Sequence, residues 1–368
     1  MQPGALIPVP DPIPVPWGIP EVLMLATFVV HILLMNAFFG AAMLSLAHTL
    51  WGRDDSPGLH AVAKLMPTST ALTVNAGVAP LLFMQVLYGH FFYISDVMLA
   101  FWWFSVIGLV IVAYYGAYLW DFRFDRLGRG GRSLCLAFLV AVLFLISFIF
   151  TNNFTLMLTP QRWGMYFDNP GGTLLNLGEP TLFPRWLHFV TAALAVGGLA
   201  QAVLWTVKAG RGADPAYAAG RIRQGMKVFA GFTLLQLLVG TWFLASLPNE
   251  VAARFLGGHG LSTGVFVLAL ASVLATLALG FKGKVWPTLA ALVGTVVLMA
   301  CVRELVRIAY LAPYFSPADL PVRTQYSPLF LFLATLAVGV LVVVWVLRQA
   351  AKASAGPQAL PEQAQEEA

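Results

Sequence analysis

The segment PRWLHFV, residues 184–190, opens an apolar run that continues to residue 207. It places His188 just inside a stretch long enough to cross a membrane, with Arg185 one turn before it. A polar ring at that depth loses its hydration, so it usually faces the interior of a helix bundle and has a function there. The segment therefore predicts a polar site within a bundle of membrane helices.

Composition agrees with that class, because 59% of the 368 residues are hydrophobic and only 10% are charged. Nine apolar runs are each long enough to span a hydrocarbon core of ~30 Å at ~1.5 Å per residue. They lie at about 20–50, 70–95, 97–120, 134–159, 183–207, 228–247, 261–281, 285–311 and 327–348. We predict an all-α polytopic membrane protein with nine transmembrane helices. Its domains are a Pro-rich external segment (1–19), the helical domain (20–350) and a disordered cytoplasmic tail (351–368).

Lysine and arginine positions predict the orientation. The loops after the odd-numbered runs hold all but six of the 21 basic residues. The exceptions are Arg162, Arg185, Arg254, Arg303, Arg307 and Arg323. By the positive-inside rule, the amino terminus lies outside and the carboxyl terminus in the cytoplasm of a bacterial inner membrane. The pI near 9.3 thus reflects topology, and nucleic acid is not an expected partner.

This orientation gives each histidine a depth. His31 lies ~16 Å into the first run, near the midplane, and His188 lies ~8 Å from the outer face. His90 falls near the outer surface, and His259 falls in the short outer loop before the seventh run. His48, near the cytoplasmic end of the first run, is expected to be solvated, as is His60 in the loop that follows.

Few charges lie inside the predicted spans. The eighth run carries Arg303, Glu304 and Arg307 in its outer third, and no other carboxylate falls well inside a predicted span. A proton-driven transporter usually needs a carboxylate or two near the midplane of the membrane, so the sequence argues against that class. Histidines with outward arginines instead favour b-type haem, with imidazole on the iron and guanidinium on the propionates.

Two simpler interpretations of these residues need no haem. An intramembrane histidine can form a helix-to-helix hydrogen bond, and Arg303, Glu304 and Arg307 can be an interfacial ion pair that snorkels outward.

Five segments resemble subunit I of the cytochrome bd quinol oxidases, a nine-helix family with an external amino terminus and three haems. His31 resembles the haem-ligand histidine of the first helix, and FPRWLH (183–188) resembles the segment with the low-spin haem histidine. NAGVAPLLFMQVLYG (75–89) is similar to Asn-x-Gly-Val…Met-Glu-Phe-Gln-Phe-Gly, and MLTP (157–160) is similar to Met-x-x-Pro. ELVRIAY (304–310) is similar to Glu-x-Gly-Arg-Gln-Pro-Trp.

Three departures separate the chain from that pattern. Gln85 stands where the family has a glutamate tied to haem and proton delivery. The axial methionine at the start of the seventh helix has no counterpart in residues 258–264, and the large outer loop shrinks to residues 248–260. We expect quinone to bind elsewhere or on a partner subunit.

We expect two or more b-type haems, and haem d stays open as an alternative that no residue of the sequence supports. We expect His188 to bind one iron, with His259 or, as second choice, His90 opposite. A second site would use His31, with Glu304 near or on the iron and Arg307 at the propionates. Arg185 and Arg303 complete the cofactor-binding set, and the metal ligands are His31, His188, His259 and Glu304.

The predicted function is electron transfer between membrane quinone and an external carrier such as a c-type cytochrome, together with a partner membrane subunit and surrounding lipid. This makes the chain an oxidoreductase subunit. The nearest alternative is a terminal quinol:oxygen oxidoreductase subunit, and the distant one is a haem-free transporter or scaffold.

Overall fold

The computed structural model of the protein describes residues 3–51 and 56–354, and within them the chain is almost entirely helical. The helices are α1 (Gly18–Leu50), α2 (Ser56–Ala63), α3 (Met66–Met98), α4 (Ala100–Phe122), α5 (Arg129–Met157), α6 (Leu182–Ala209), α7 (Pro215–Ala245), α8 (Asn249–Ala253), α9 (Gly260–Phe281), α10 (Val285–Leu311) and α11 (Tyr326–Ser354). Nine of these described helices are long and apolar enough to cross a membrane, which confirms the predicted fold class.

The described chain divides into two compact units. The first contains α1 to α10. The second joins residues 12–16 to the segment that begins at Pro321 and contains α11. In this second unit the Ile13 amide donates to the Pro321 carbonyl at 2.8 Å. α11 extends a few residues beyond the predicted boundary at 350, and residues 355–368 of the predicted tail lie outside the described residues.

Glycines let α6 pack backbone to backbone against two neighbours in the first unit. A Cβ at Gly197 would lie 2.7 Å from the Gly40 Cα of α1. A Cβ at Gly198 would lie 2.8 Å from the Gly225 carbonyl oxygen of α7. Small residues allow membrane helices to approach closely, where dispersion contacts drive association in lipid. These contacts fix α6, and with it His188, between α1 and α7.

A methyl group at Gly40 tests this packing. In Gly40→Ala the new methyl would overlap the backbone carbonyl of Ala193, so we expect the free energy of unfolding to fall by about 1–3 kcal/mol or more. The measurement is equilibrium unfolding in detergent. Gly108→Ala, on α4 where nothing lies within 4 Å, is the matched control and should leave stability equal or slightly higher. Equal unfolding curves for the two variants would contradict the close α1–α6 contact.

Candidate functional site

His31 lies where α1 crosses α3, and its tautomer follows from its contact. Its Nδ1 is 3.0 Å from the Thr73 carbonyl oxygen, which can only accept, so Nδ1 carries the proton. Nε2 therefore holds the lone pair that can bind a metal. A carbonyl holding the other ring nitrogen is the usual support of a metal-ligating histidine. The local geometry fits the role predicted for His31.

Gly77 makes room for that ring on α3. A Cβ at Gly77 would lie only 2.8 Å from the Cε1 atom of His31. We predict that Gly77→Ala displaces the imidazole from the Thr73 carbonyl. The variant should shift or weaken one haem component in the absorption spectrum. Gly294→Ala, on α10 with nothing within 4 Å, is the control. A Gly77→Ala spectrum identical to that of the wild type would show that the ring position is not critical.

His188 lies on α6 against Gly240 of α7. A Cβ at Gly240 would be 3.3 Å from the His188 Cε1. The His188 Nδ1 is buried and has no hydrogen-bond partner among the described residues. A buried ring nitrogen without a partner is costly, so a bound group is the simplest way to satisfy this side chain.

Three arginines lie near one another in the same region; Arg307 is buried, and Arg185 and Arg303 are partly buried. Arg185 stacks on Phe243 of α7, with its Cζ 4.8 Å from the ring centroid. Arg303 of α10 lies over Phe28, with its Cζ 4.5 Å from the centroid of that ring. Nη2 of Arg307, and both Nε and Nη2 of Arg185, lack hydrogen-bond partners among the described residues. Buried guanidinium groups with unused donors fit carboxylates such as haem propionates.

Glu304 is the acid of this region; one of its oxygens accepts a hydrogen bond, and the other lies in an ion pair. The Tyr88 hydroxyl of α3 donates to Oε1 at 2.7 Å, and Arg307 Nη1 lies 2.5 Å from Oε2. The same Arg307 nitrogen is 3.6 Å from the Met24 sulfur. Glu304 therefore anchors Arg307 in a closed group of polar side chains. The ion pair of the simpler alternative is confirmed for Glu304 and Arg307, but its outward snorkelling is wrong for them, because each is only 3% exposed.

A second buried carboxyl faces Glu304. Glu21, in the first turn of α1, is 8% exposed and lies close to Glu304. The sequence argument missed it because the residue is near a helix end, where solvation is the ordinary expectation. A signal was present: Glu21, Met24, Phe28 and His31 follow helical spacing and share one face of α1. The side chains of that face reach Glu304, Arg307, Arg303 and Thr73.

The structure does not bring His31 to Glu304. Glu304 lies near Glu21, which is ten residues before His31 on α1, or ~15 Å along the helix axis. The two predicted site residues therefore lie at different depths. Any iron bound by His31 would take its second ligand from another group.

His90 and His259, the predicted partners of His188, have different surroundings. The His90 ring packs against Phe91 and Phe315, each at 4.5 Å between centroids, and its Nε2 is buried without a hydrogen-bond partner in the described part of the chain. His259 is exposed and caps α9, where its Nδ1 accepts from the Ser262 amide at 3.3 Å. His90 is the more enclosed of the two, and no contact joins either ring to His188 in the described structure.

His48 differs from its predicted solvated state. It is 8% exposed, and the Gln224 side chain of α7 bonds to its Nε2 at 2.8 Å. α2 contacts α1 in the described structure, and the ring is largely shielded from water.

The donor types in this region are those that haem requires. Among the described residues, no three His, Cys, Asp or Glu side chains converge on one point. Haem iron needs only two axial ligands, and its propionates need cationic donors. The unpartnered nitrogens of His188, Arg185 and Arg307 supply both kinds of group.

Comparison with solved structures supports the fold. The fold is similar to that of a bd oxidase chain from Geobacillus thermodenitrificans. The TM-score is 0.65 and the identity is 14%, over 93% of this chain and 99% of that chain. No protein-family profile and no curated protein matches the sequence. The likeness agrees, at the level of fold, with the resemblance indicated by the motifs.

Proposed function

We propose that this protein is a b-type haem subunit of a bacterial inner-membrane redox complex. It carries electrons between the quinone pool and an external partner such as a c-type cytochrome. The observation that supports this most is the buried, unpartnered Nδ1 of His188 beside the unused donors of Arg185. A bound haem would supply one-electron chemistry, and its carboxylates would satisfy the arginines.

Each residue has a distinct part in this proposal. His188 and His31, the latter through Nε2, bind iron at two depths. Arg185, Arg303 and Arg307 hold propionates, and Glu304 keeps Arg307 in place. His90 and His259 are the candidates for the ligand opposite His188.

The pyridine-haemochrome spectrum of the purified full-length protein tests this function. We expect a b-type spectrum with about two haems per chain, as two histidine sites imply. If the protein shows no b-type absorption although haem was available during its expression, the proposal is overturned. The remaining interpretation is then a haem-free transporter or scaffold.

A terminal oxidase subunit is the second candidate, and three buried or partly buried carboxyls favour it. Glu21 and Glu304 face each other, and Asp96 accepts a hydrogen bond from Asn153 at 2.5 Å. Oxygen reduction consumes protons, and such carboxyls are typical of proton paths in membranes. Oxygen uptake by the purified complex with quinol decides between the candidates: rapid uptake favours the oxidase, and electron delivery to an external carrier without uptake favours the first proposal.

A further inference from the structure

A groove of about 390 Å³ runs along α7, near the end of the helices where the basic loops are, the basic-loop end. Lys227, Gly231 and Leu235 line it at four-residue spacing, so they lie on one side of the helix over ~12 Å. All three residues are exposed, and Val228 and Phe232 form the other edge of the groove. The groove is therefore open to the lipid around the protein.

Packing against neighbouring helices fixes that second edge. Val228 is turned toward α6, because a Cβ at Gly198 of α6 would lie 2.8 Å from its Cγ1. Phe232 packs against a buried cluster that includes Phe229 and Leu292. These contacts hold the edge in place without a ligand, and binding sites for small molecules are usually pre-formed in this way.

The groove exists because residue 231 has no side chain. A Cβ at Gly231 would meet nothing within 4 Å, so no neighbouring helix requires a glycine there, although glycine destabilises a helix interior relative to alanine. What distinguishes Gly231 is Lys227, one turn before it. The other described glycines with such open space beyond the first turn of a long helix have no basic residue one turn before them: Gly108, Gly220, Gly264, Gly294 and Gly339.

Lys227 lies at the level where α7 enters the apolar region, since the apolar run of this helix begins at residue 228. A lysine in that position lays its stem on apolar surface and keeps its ammonium at the level of the lipid headgroups. Below it the groove continues along exposed apolar side chains, including Leu234 and Leu238. A cation thus stands directly above an apolar channel, which matches the arrangement of a phospholipid.

The head of the groove selects negative charge. Arg223, one turn before Lys227, is also exposed, and neither side chain has a hydrogen bond or ion pair with another described residue. α7 contains no Asp or Glu from Pro215 to Ala245 that could neutralise them. Basic groups at this level of a membrane attract anionic headgroups. A zwitterionic headgroup brings an ammonium of its own, which the two cations repel.

We propose that this groove binds an anionic diacyl phospholipid, with its phosphate at Lys227 and Arg223 and one acyl chain along Gly231 and Leu235. The fixed edge formed by Val228 and Phe232 contacts the same chain. The site is separate from the proposed electron transfer and does not depend on haem.

The test is native mass spectrometry of the full-length protein, stripped of co-purified lipid in detergent and titrated with phosphatidylglycerol. Phosphatidylcholine with the same acyl chains is titrated in parallel. We expect the first phosphatidylglycerol to bind about fivefold more tightly or better, as one cation near a phosphate implies. Equal binding of the two lipids by the wild type would overturn the proposal.

Two substitutions test the two parts of the site. Lys227→Gln should weaken the first phosphatidylglycerol by about fivefold. Its matched control is Lys282→Gln, which removes an exposed cation after α9 and should leave binding unchanged. Gly231→Leu fills the groove and should also weaken binding by about fivefold or more, because the acyl-chain contact is lost. Its control is Gly294→Leu, at an exposed glycine of α10 with equally open space.

The comparison of each variant with its control decides the outcome. Equal binding by Gly231→Leu and Gly294→Leu overturns the groove as the site of the acyl chain. Equal binding by Lys227→Gln and Lys282→Gln overturns the headgroup contact, and this pair suffices if Gly231→Leu does not fold. Haem content is measured on the same samples, so its absence from the wild type would overturn the proposed function while lipid binding is still read from mass alone.

Discussion

Substituting His188→Ala is expected to remove one b-type component from the reduced-minus-oxidised spectrum while the helices stay folded. The Nδ1 of this ring makes no hydrogen bond with the described residues, so its loss leaves no partner unsatisfied there. α6 is held by the close contacts of Gly197 and Gly198, which the substitution does not touch. The loss should therefore fall on the cofactor, with haem content reduced by about one per chain, as expected for removal of an axial ligand.

His60→Ala is the matched control for that variant. His60 stacks on Phe124, at 4.8 Å between ring centroids, next to the basic-loop end. The reduced-minus-oxidised spectrum of the His60→Ala variant should equal that of the wild type. Parallel His90→Ala and His259→Ala variants identify the opposite ligand, since only the true partner should remove the same component. An unchanged His188→Ala spectrum in a haem-containing protein would refute the ligand assignment.

Removing the carboxylate in Glu304→Ala is expected to lower the free energy of unfolding by about 3–5 kcal/mol. The reason is the charge left behind: Arg307 is 3% exposed, and its Nη1 would lose the oxygen 2.5 Å away. The Tyr88 hydroxyl would lose its acceptor as well. The measurement is equilibrium unfolding in detergent.

Two further variants isolate the charge effect. Glu250→Ala removes an exposed acid from α8 and should change stability by less than about 0.5 kcal/mol. Adding Arg307→Ala to Glu304→Ala should recover part of the loss, because the unpaired charge is then gone. A Glu304→Ala protein as stable as Glu250→Ala would show that the ion pair is not a stabilising element.

The apolar runs predicted the helices well in number and less well in length. α3 begins at Met66 and α7 at Pro215, whereas the runs began near 70 and 228. The extra turns carry polar residues such as Arg221 and Gln224, which hydropathy alone assigns to loops. Those turns stay helical because Pro215 opens α7 and Asp214 caps it by accepting from the Tyr217 amide, at 2.6 Å.

The sequence by itself determined the nine membrane helices and singled out His31, His188 and the Arg303–Arg307 segment. Length and apolarity are properties of one segment, and a polar residue inside such a segment is visible without its neighbours. Only the tertiary structure decided which of these groups meet. It brought Glu21 near Glu304, buried His48 behind Gln224, and placed His31 and Glu304 at different depths. The reason is that contacts between helices depend on which faces pack together, and here glycines such as Gly40 and Gly197 set the close approach of α1 and α6.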